Sequence, residues 1–343
     1  MKKEPKLFLV SAPSGAGKSS LIDAVLASAN QSDLALELSI SYTTRSPRKG
    51  ESNGSQYFFI SKKNFLDKKN SHFFLEDAEV HGNLYGTSVE FVESKLNAGV
   101  NLILEIDVQG FRQINDLDIT AINVSSKNND LRSSQCNKNL FHTIPSERML
   151  SDSLAQYLSE KKWRKILVLT GPLKIDEAKS KSFIESAKQF GLKITGERNF
   201  VLGNDPRARD QNDLDFLTGA AKYDAVYIAD TLKEFSYRVP FATHKPAIVI
   251  GSSGLIPRAW HWSYLRHGAP QVHGRFERMH ERRMTEEDWA AWVAMRAVAE
   301  ALVRFQSNEN FSFRNAFIDE SFKLDGSKGP ILNFRPWNRQ LRQ

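Results

Sequence analysis

Residues Ala12 to Ser20, APSGAGKSS, bring two glycines, a lysine and several hydroxyls into one short stretch. The run closes on the pattern G-x-x-x-x-G-K-[ST], with Ala12 standing where the first glycine of that pattern falls. Gly15 and Gly17 allow backbone N–H groups to turn toward phosphate oxygens. A helix beginning near Ser19 presents its positive N-terminal end to the same oxygens. The spacing predicts a phosphate cradle made of Ser14, Gly15, Ala16, Gly17, Lys18, Ser19 and Ser20. In such a cradle Lys18 bridges the β and γ phosphates as the catalytic cation, and the Ser19 hydroxyl is a ligand of Mg²⁺.

The elements that must hold this loop are legible on either side of it. LFLVS, residues 7–11, is a short apolar run suited to a buried parallel strand, and SSLIDAVLASA, residues 19–29, has apolar residues at helical spacing. SISYTT and QYFFIS have the alternation of strands. Thr87 with Glu90 makes a capping box for the helix SVEFVESKLNAG, which Gly99 ends. NLILEID then reads as another buried strand, delivering Asp107 at its C-terminal end, the edge where ligands of open α/β sheets gather.

The order SISYTTRSPRKGE, QYFFIS, FFLEDAEVHGNLYGTS and LEIDVQG, together with APSGAGKSS, resembles guanylate kinases from about Lys6 to about Ile114. The resemblance implies ATP and Mg²⁺ at the phosphate loop and GMP as the small-molecule substrate. It assigns the GMP phosphate to Arg45, Arg48, Tyr57 and Tyr85, and the guanine to Ser41, Glu76, Thr87 and Asp107. The chemistry agrees with this division. Arginines fork onto phosphate oxygens and tyrosine hydroxyls complete them, while a carboxylate accepts from the N1–H and exocyclic amine that distinguish guanine from adenine. Glu105 stands where the family usually carries an aspartate, and is either turned toward the metal or a tolerated change. Guanylate kinases bring further arginines on a lid after this strand. No Arg-rich segment of the RLRGRG type follows here, and Arg132 is the one arginine between Ile114 and residue 140. Arg207 and Arg209 in DPRARDQ read as a loop surface.

The chain changes character near residue 140. All 6 tryptophans, from Trp163 to Trp337, lie beyond it. The net charge of +7 also arises there, because residues 1–139 hold 16 Lys+Arg and 16 Asp+Glu. The basic residues are scattered, as in RMHERRM, without a long basic tract, so the charge reads as solvated surface and not as a nucleic-acid site. A composition of 41% hydrophobic and 25% charged residues is that of an ordinary globular protein and gives no support for a largely disordered chain. No apolar run is long enough to cross a membrane, and the first residues do not have the pattern of a signal peptide. The single cysteine, Cys136, precludes an internal disulfide and points to a reducing, cytoplasmic compartment.

The expected organisation is an incomplete guanylate-kinase-like P-loop domain over 1–122, a polar linker over 123–140 and a second α/β domain over 141–343. The linker is NVSSKNNDLRSSQCNKN, rich in Asn and Ser. The second domain alternates helices (SDSLAQYLSEKKW, DEAKSKSFIESAKQFG) with strands (KILVLT, LKITG, YDAVYIAD, PAIVIG), which predicts another parallel sheet. Its segments FHTIPSERMLSDSLAQYL, GSSGLIPRAWHWSYLRHGAPQV and ILNFRPWNRQLRQ are similar to the later part of periplasmic solute-binding proteins of the branched-chain amino-acid ABC transporter type, those associated with quinoprotein alcohol dehydrogenases. The fold class expected is therefore α/β throughout: a P-loop NTPase-type parallel sheet with a GMP-binding insertion, then a periplasmic-binding-protein type I-like unit. Trp260, His261 and Trp262 read as core packing before a ligand wall. The histidines lack metal-ligand spacing, and no structural zinc is expected. Trp289, Trp292, Met295 and Val298 read as the buried face of a long helix with Thr285 as N-cap and Asp288 as its capping-box partner. Two functions remain open at this stage: GMP phosphorylation by MgATP, and a non-catalytic nucleotide-binding or solute-binding fusion protein.

Overall fold

The computed structural model describes residues 5–11, 22, 25–26, 35–80, 82–106, 110, 113–114, 120–202, 212–219, 222–305 and 311–342. The chain divides into two compact units, Met1–Ala121 and Ile122–Gln343. Both are mixed α/β with parallel sheets.

The first unit contains β1 (Leu7–Ser11), β2 (Leu36–Leu38), β3 (Ser41–Thr43), β4 (Tyr57–Phe59), β5 (Phe74–Val80), β6 (Asn83–Ser88) and β7 (Asn101–Ile106). Among the described residues β7 lies centrally in a parallel sheet of order β1-β7-β2, with Leu7 opposite Leu102 and Leu38 opposite Ile103. Its continuous apolar run follows from that position: Leu102, Ile103, Leu104 and Ile106 are all buried, and Leu102, Leu104 and Ile106 pack with Val92 and Ile114. The Asn101 side chain ties the neighbouring strands at their starts, accepting from the Lys6 N–H at 2.8 Å and donating to the Ala35 carbonyl at 2.9 Å. Helical residues Ile22, Val25 and Leu26 follow β1, with Ile22 buried.

A separate sheet of order β4-β3-β6-β5 is built from the stretch between β2 and β7. β3 runs parallel to β4 and antiparallel to β6, and β6 is antiparallel to β5. The helix Val89–Asn97 leaves from the end of β6. Its N-cap is Ser88, whose hydroxyl accepts from the Phe91 N–H at 3.2 Å. This corrects the expected cap by one residue: Thr87 still belongs to β6 and points its hydroxyl into the sheet. Gly99, at φ +83°, closes the helix as expected.

At the start of the second unit β8 (Ala121–Asn123), whose first residue is the last of the first unit, pairs with β9 (Leu140–His142). β10 (Lys165–Thr170), β11 (Lys193–Asn199), β12 (Ala225–Ala229) and β13 (Ile248–Gly251) form a parallel sheet of order β11-β10-β12-β13, each strand lying where the sequence places it. Helices Glu147–Glu160 and Lys174–Gln189 cover one face through Leu154, Leu158, Phe183 and Ala187, where the Phe183 and Tyr227 rings stack 3.9 Å apart. Phe200, Leu214, Leu217 and Val239 cover the other.

A further core surrounds the helix Glu286–Phe305. Its fully buried stripe is Trp289, Ala290, Val293, Ala294, Ala297 and Ala301, while Trp292, Met295 and Val298 are half-buried. Only Trp289 of the expected stripe lies at its centre. Positions repeated every three residues drift around a helix of 3.6 residues per turn, and small alanines let this helix sit close against Phe141, Phe317 and Phe334. Thr285 and Asp288 form the expected capping box, with Thr285 N donating to Asp288 Oδ2 at 2.8 Å. Trp260 stacks on Trp289 at 6.0 Å and belongs to this core.

The polar stretch read as a linker is wired into the second unit. Lys127 pairs with Glu286 at 2.6 Å, and Arg132 donates to Ile144 O at 2.8 Å and to Gln340 Oε1 at 3.2 Å. Asn123 Oδ1 accepts from the N–H groups of Ser125 and Ser126. Asn and Ser satisfy compact turns as readily as they solvate a linker, so composition cannot separate the two. Among the described residues no helix is long and apolar enough to cross a membrane, and no cluster of three or more His, Cys, Asp or Glu is placed to hold a metal.

His142 is 0% exposed and takes the Asn123 amide on Nδ1 at 3.0 Å. Burial first, then the charge of Arg132, lowers its pKa to about 3. A histidine held neutral in the folded state contributes stability above its unfolded pKa of roughly 6.5, and loses it as pH falls toward its folded pKa. Urea unfolding of the full chain between pH 7 and pH 4 should show stability falling below pH 6.5, with His142 adding up to about 1.4 kcal/mol per pH unit. His142→Gln should flatten that slope; an unchanged slope would show that His142 titrates normally.

Candidate functional site

The register of the sheet β4-β3-β6-β5 places three polar side chains in line. Glu76 on β5 lies opposite Thr87 on β6, and β3 on the far side of β6 carries Ser41. The Thr87 hydroxyl donates to Glu76 Oε1 at 2.7 Å, and the Ser41 and Thr87 hydroxyl oxygens are 3.2 Å apart. Thr87 is 0% and Glu76 5% exposed, so a carboxylate is held at the edge of the interior with hydroxyl support. Gly110 closes the other side of it: a Cβ at that position would collide with Glu76 Oε2. Gly86, between Tyr85 and Thr87, packs so tightly on the Phe74 ring that a Cβ there would lie 2.9 Å from Phe74 Cδ1.

A second cluster forms at the outer strands. Ser41 is opposite Tyr57, and Thr43 opposite Tyr85, which sets the two tyrosine rings 5.9 Å apart in an edge-to-face arrangement. The Arg45 guanidinium sits 5.4 Å from the Tyr57 ring centre and 5.7 Å from that of Phe59. It donates to Ser46 O at 2.8 Å and to Glu51 Oε1 at 2.9 Å. Hydrogen bonds to Glu51 and Tyr85 hold Arg45 firmly charged. Burial, reinforced by the charge of Glu105, pushes the Tyr57 hydroxyl up, which keeps it protonated and able to donate. Arg48 is exposed and joins the cluster through its backbone N–H, which donates to Glu51 Oε2 at 2.7 Å.

Ser41, Glu76 and Thr87 are thus brought together, as are Arg45, Tyr57 and Tyr85. The Arg48 guanidinium takes no part in the Glu51 contact. Ser14, Gly15, Ala16, Gly17, Lys18, Ser19, Ser20 and Asp107 lie outside the described residues, as do Arg207 and Arg209. Glu51 was not singled out from the sequence, although its place in RSPRKGE, three residues after Arg48 and six after Arg45, is a signal that charge pairing would have used. The arginine hydrogen bond and the Arg48 N–H hold its carboxyl below the usual range.

The second unit has a cleft of about 330 Å³ at the C-terminal ends of β12 and β13. Glu147, Lys179, Tyr227, Asp230, Thr231 and Arg258 are among its lining residues. Asp230 is 0% exposed and accepts from the N–H groups of Lys233, Phe235 and Ser236, while Lys179 donates to the Thr231 hydroxyl at 3.1 Å. Burial pushes the Glu147 carboxyl up against the opposing pull of Lys179 and Lys127. His261 and Trp262 lie outside this lining.

Residues 4–162 match the family model for guanylate kinase. Among curated relatives, the guanylate kinase of Nitrosomonas europaea is 54% identical over 108 residues, covering 32% of this chain and 52% of that protein. The guanylate kinase of Hahella chejuensis is 52% identical over 112 residues, covering 33% and 52%. The chain thus spans about half the length of the curated relatives it matches. Among solved structures, an ABC transporter substrate-binding protein from Sphaerobacter thermophilus aligns at 14% identity and TM-score 0.61, covering 98% of this chain and 91% of that one. The leucine-, isoleucine-, valine-, threonine- and alanine-binding protein of Brucella ovis aligns at 12% identity and TM-score 0.59, covering 98% and 87%. The N-terminal part therefore carries the guanylate kinase resemblance, and the chain has a substrate-binding-protein type of fold.

Thr87→Val removes the hydroxyl from Glu76 while keeping the shape of the side chain. The loss of a hydrogen bond to a buried carboxylate should destabilise the first unit by about 1–3 kcal/mol. Denaturant unfolding followed by a probe in that unit measures this; a change under about 0.3 kcal/mol would mean that the hydroxyl carries no stability.

Proposed function

We propose that the first unit binds GMP and transfers to it the γ-phosphoryl group of MgATP, giving GDP and ADP. The reading rests on one observation: a buried carboxylate with hydroxyl support, Glu76 with Thr87 and Ser41, shares a sheet with a cation and two phenols, Arg45 with Tyr57 and Tyr85. The first set suits guanine, whose N1–H and amino group are donors that a carboxylate accepts and adenine does not match. The second suits the phosphate, with charge-assisted hydrogen bonds from arginine and neutral ones from phenol hydroxyls. The 48–54% identity of this segment to guanylate kinases supports the same division.

In the reaction an oxygen of the GMP phosphate attacks the γ phosphorus and ADP leaves. The nucleophile is already anionic, so no strong general base is required, and catalysis consists of alignment and charge stabilisation. Lys18 would lie against the β and γ phosphates, Ser14 to Ser20 would cradle them, and Ser19 would meet Mg²⁺. Asp107 and Arg48 would complete the acceptor site, with Arg48 swinging in from its exposed loop. Cys136 is an exposed free thiol, in keeping with a reducing cytoplasmic setting.

A second reading is favoured by the cleft in the second unit. There the chain is a binding protein, with nucleotide held in the first unit without turnover and a small polar solute held among Lys179, Thr231 and Glu147. The lid arginines that stabilise charge on the transferring group have no counterpart in the sequence after β7, which is the feature on its side.

The two readings separate in an assay of GDP formation from GMP and MgATP by the full chain. The kinase reading expects GMP-dependent turnover that Lys18→Ala lowers by about 10³-fold or more. Glu76→Gln is expected to reduce kcat/KM for GMP by about 10²-fold while leaving AMP a poor substrate. GMP binding without any turnover by folded protein would select the binding reading instead.

A further inference from the structure

We infer that Glu51 is a positioning residue for the monophosphate: its carboxylate holds the Arg45 guanidinium and the Arg48 loop in the anion-binding arrangement before the nucleotide arrives. The inference rests on the reading of this site as a GMP site. It concerns a residue that makes no assigned contact with the nucleotide.

Glu51 uses its two oxygens on two different parts of the chain. Oε1 accepts from Arg45 Nη2 at 2.9 Å, and Oε2 accepts from the Arg48 backbone N–H at 2.7 Å. Its own N–H donates to the Arg48 carbonyl at 3.0 Å, which closes the turn from Arg48 to Glu51. Both members of the ion pair are largely covered, with side chains 14% and 17% exposed. A free arginine side chain samples many rotamers, and fixing it costs conformational entropy that a ligand would otherwise have to supply on binding. Here the guanidinium is already held between Glu51, the Ser46 carbonyl and the faces of Tyr57 and Phe59. Guanidinium has five N–H donors, and Ser46, Glu51 and Tyr85 together engage only part of the set, which leaves donors for phosphate.

The sign of the charge makes the inference testable. A carboxylate beside a dianion subsite lowers the local positive potential, so on charge alone its removal should tighten GMP binding. If Glu51 acts by preorganising Arg45, its removal should weaken binding instead. The effect should also be confined to the phosphate end, because Glu51 reaches the ligand only through Arg45 and Arg48.

The test measures GMP and guanosine binding to the full chain and to Glu51→Gln and Glu51→Asp, by calorimetry or competition, together with the thermal midpoint of each. Glu51→Gln should weaken GMP about tenfold with guanosine affinity unchanged, and Glu51→Asp should fall between it and the parent. Where turnover is measurable, the loss should appear in KM for GMP with kcat altered less than about threefold. Unchanged or tighter GMP binding by Glu51→Gln overturns the inference and leaves the GMP reading standing. Equal losses for GMP and guanosine also overturn it, since they would mark a general collapse of the loop. A parent chain that binds neither GMP nor guanosine overturns the GMP reading itself, and the role of Glu51 with it.

Discussion

A carboxylate 5% exposed inside a sheet has to be answered by donors, and the first unit is arranged around that requirement at Glu76. The hydroxyl of Thr87 answers it from the neighbouring strand, and Ser41 stands one strand further on. For this to happen β5, β6 and β3 must hold one register, because a slip of a single residue would turn Thr87 to the other face. Gly86 and Gly110 serve the same end. The first lets β6 close onto the Phe74 ring, and the second leaves room for the Glu76 carboxylate. The cost of placing a carboxylate indoors is offset by the Thr87 hydroxyl on one oxygen and by the room Gly110 leaves at the other.

The Arg45 cluster is organised by a different balance. A guanidinium at the rim of a sheet gains from aromatic faces and from a carboxylate. Glu51 and Tyr85 keep it charged, and burial keeps Tyr57 protonated. The two clusters share β3 and β6, so a buried carboxylate with hydroxyl support and a cation beside two phenols are set on the same pair of strands.

The second unit follows the general rule for parallel sheets, with its cleft at the C-terminal ends of the strands. Asp230, at the end of β12, spends its charge on the backbone N–H groups of the loop that follows and so shapes the edge of that cleft. Away from it, Trp289 anchors a core of its own, donating its indole N–H to Gly326 O at 3.0 Å and stacking on Trp260. Burial and stacking on Trp289 make Trp260 part of this structural core, which accounts for it better than a ligand wall does.

Where periodicity and apolar runs carry the information, the sequence by itself determined the elements: β7 and β10 to β13 lie where their apolar runs fall, and Thr285 caps its helix with Asp288. It also named Ser41, Glu76, Thr87 and Asp107 as a set, and Arg45, Arg48, Tyr57 and Tyr85 as another, through their resemblance to a family; the structure groups Ser41, Glu76 and Thr87, and Arg45, Tyr57 and Tyr85, while the Arg48 side chain stays exposed and Asp107 lies outside the described residues. Tertiary structure alone decided which hydroxyl meets which carboxylate. Thr87 and Ser88 are chemically equivalent as helix caps, and only the strand pairing sends Thr87 inward to Glu76 and leaves Ser88 to cap. It decided that the Asn- and Ser-rich stretch 123–139 is folded into the second unit, since turns and linkers have the same composition but differ in the long-range partners that Lys127 and Arg132 find. It also decided the partners of Glu51, whose two oxygens join residues three and six positions away. Local pattern is written in the order of residues, whereas the pairing of buried charge is settled by which strands come to lie side by side.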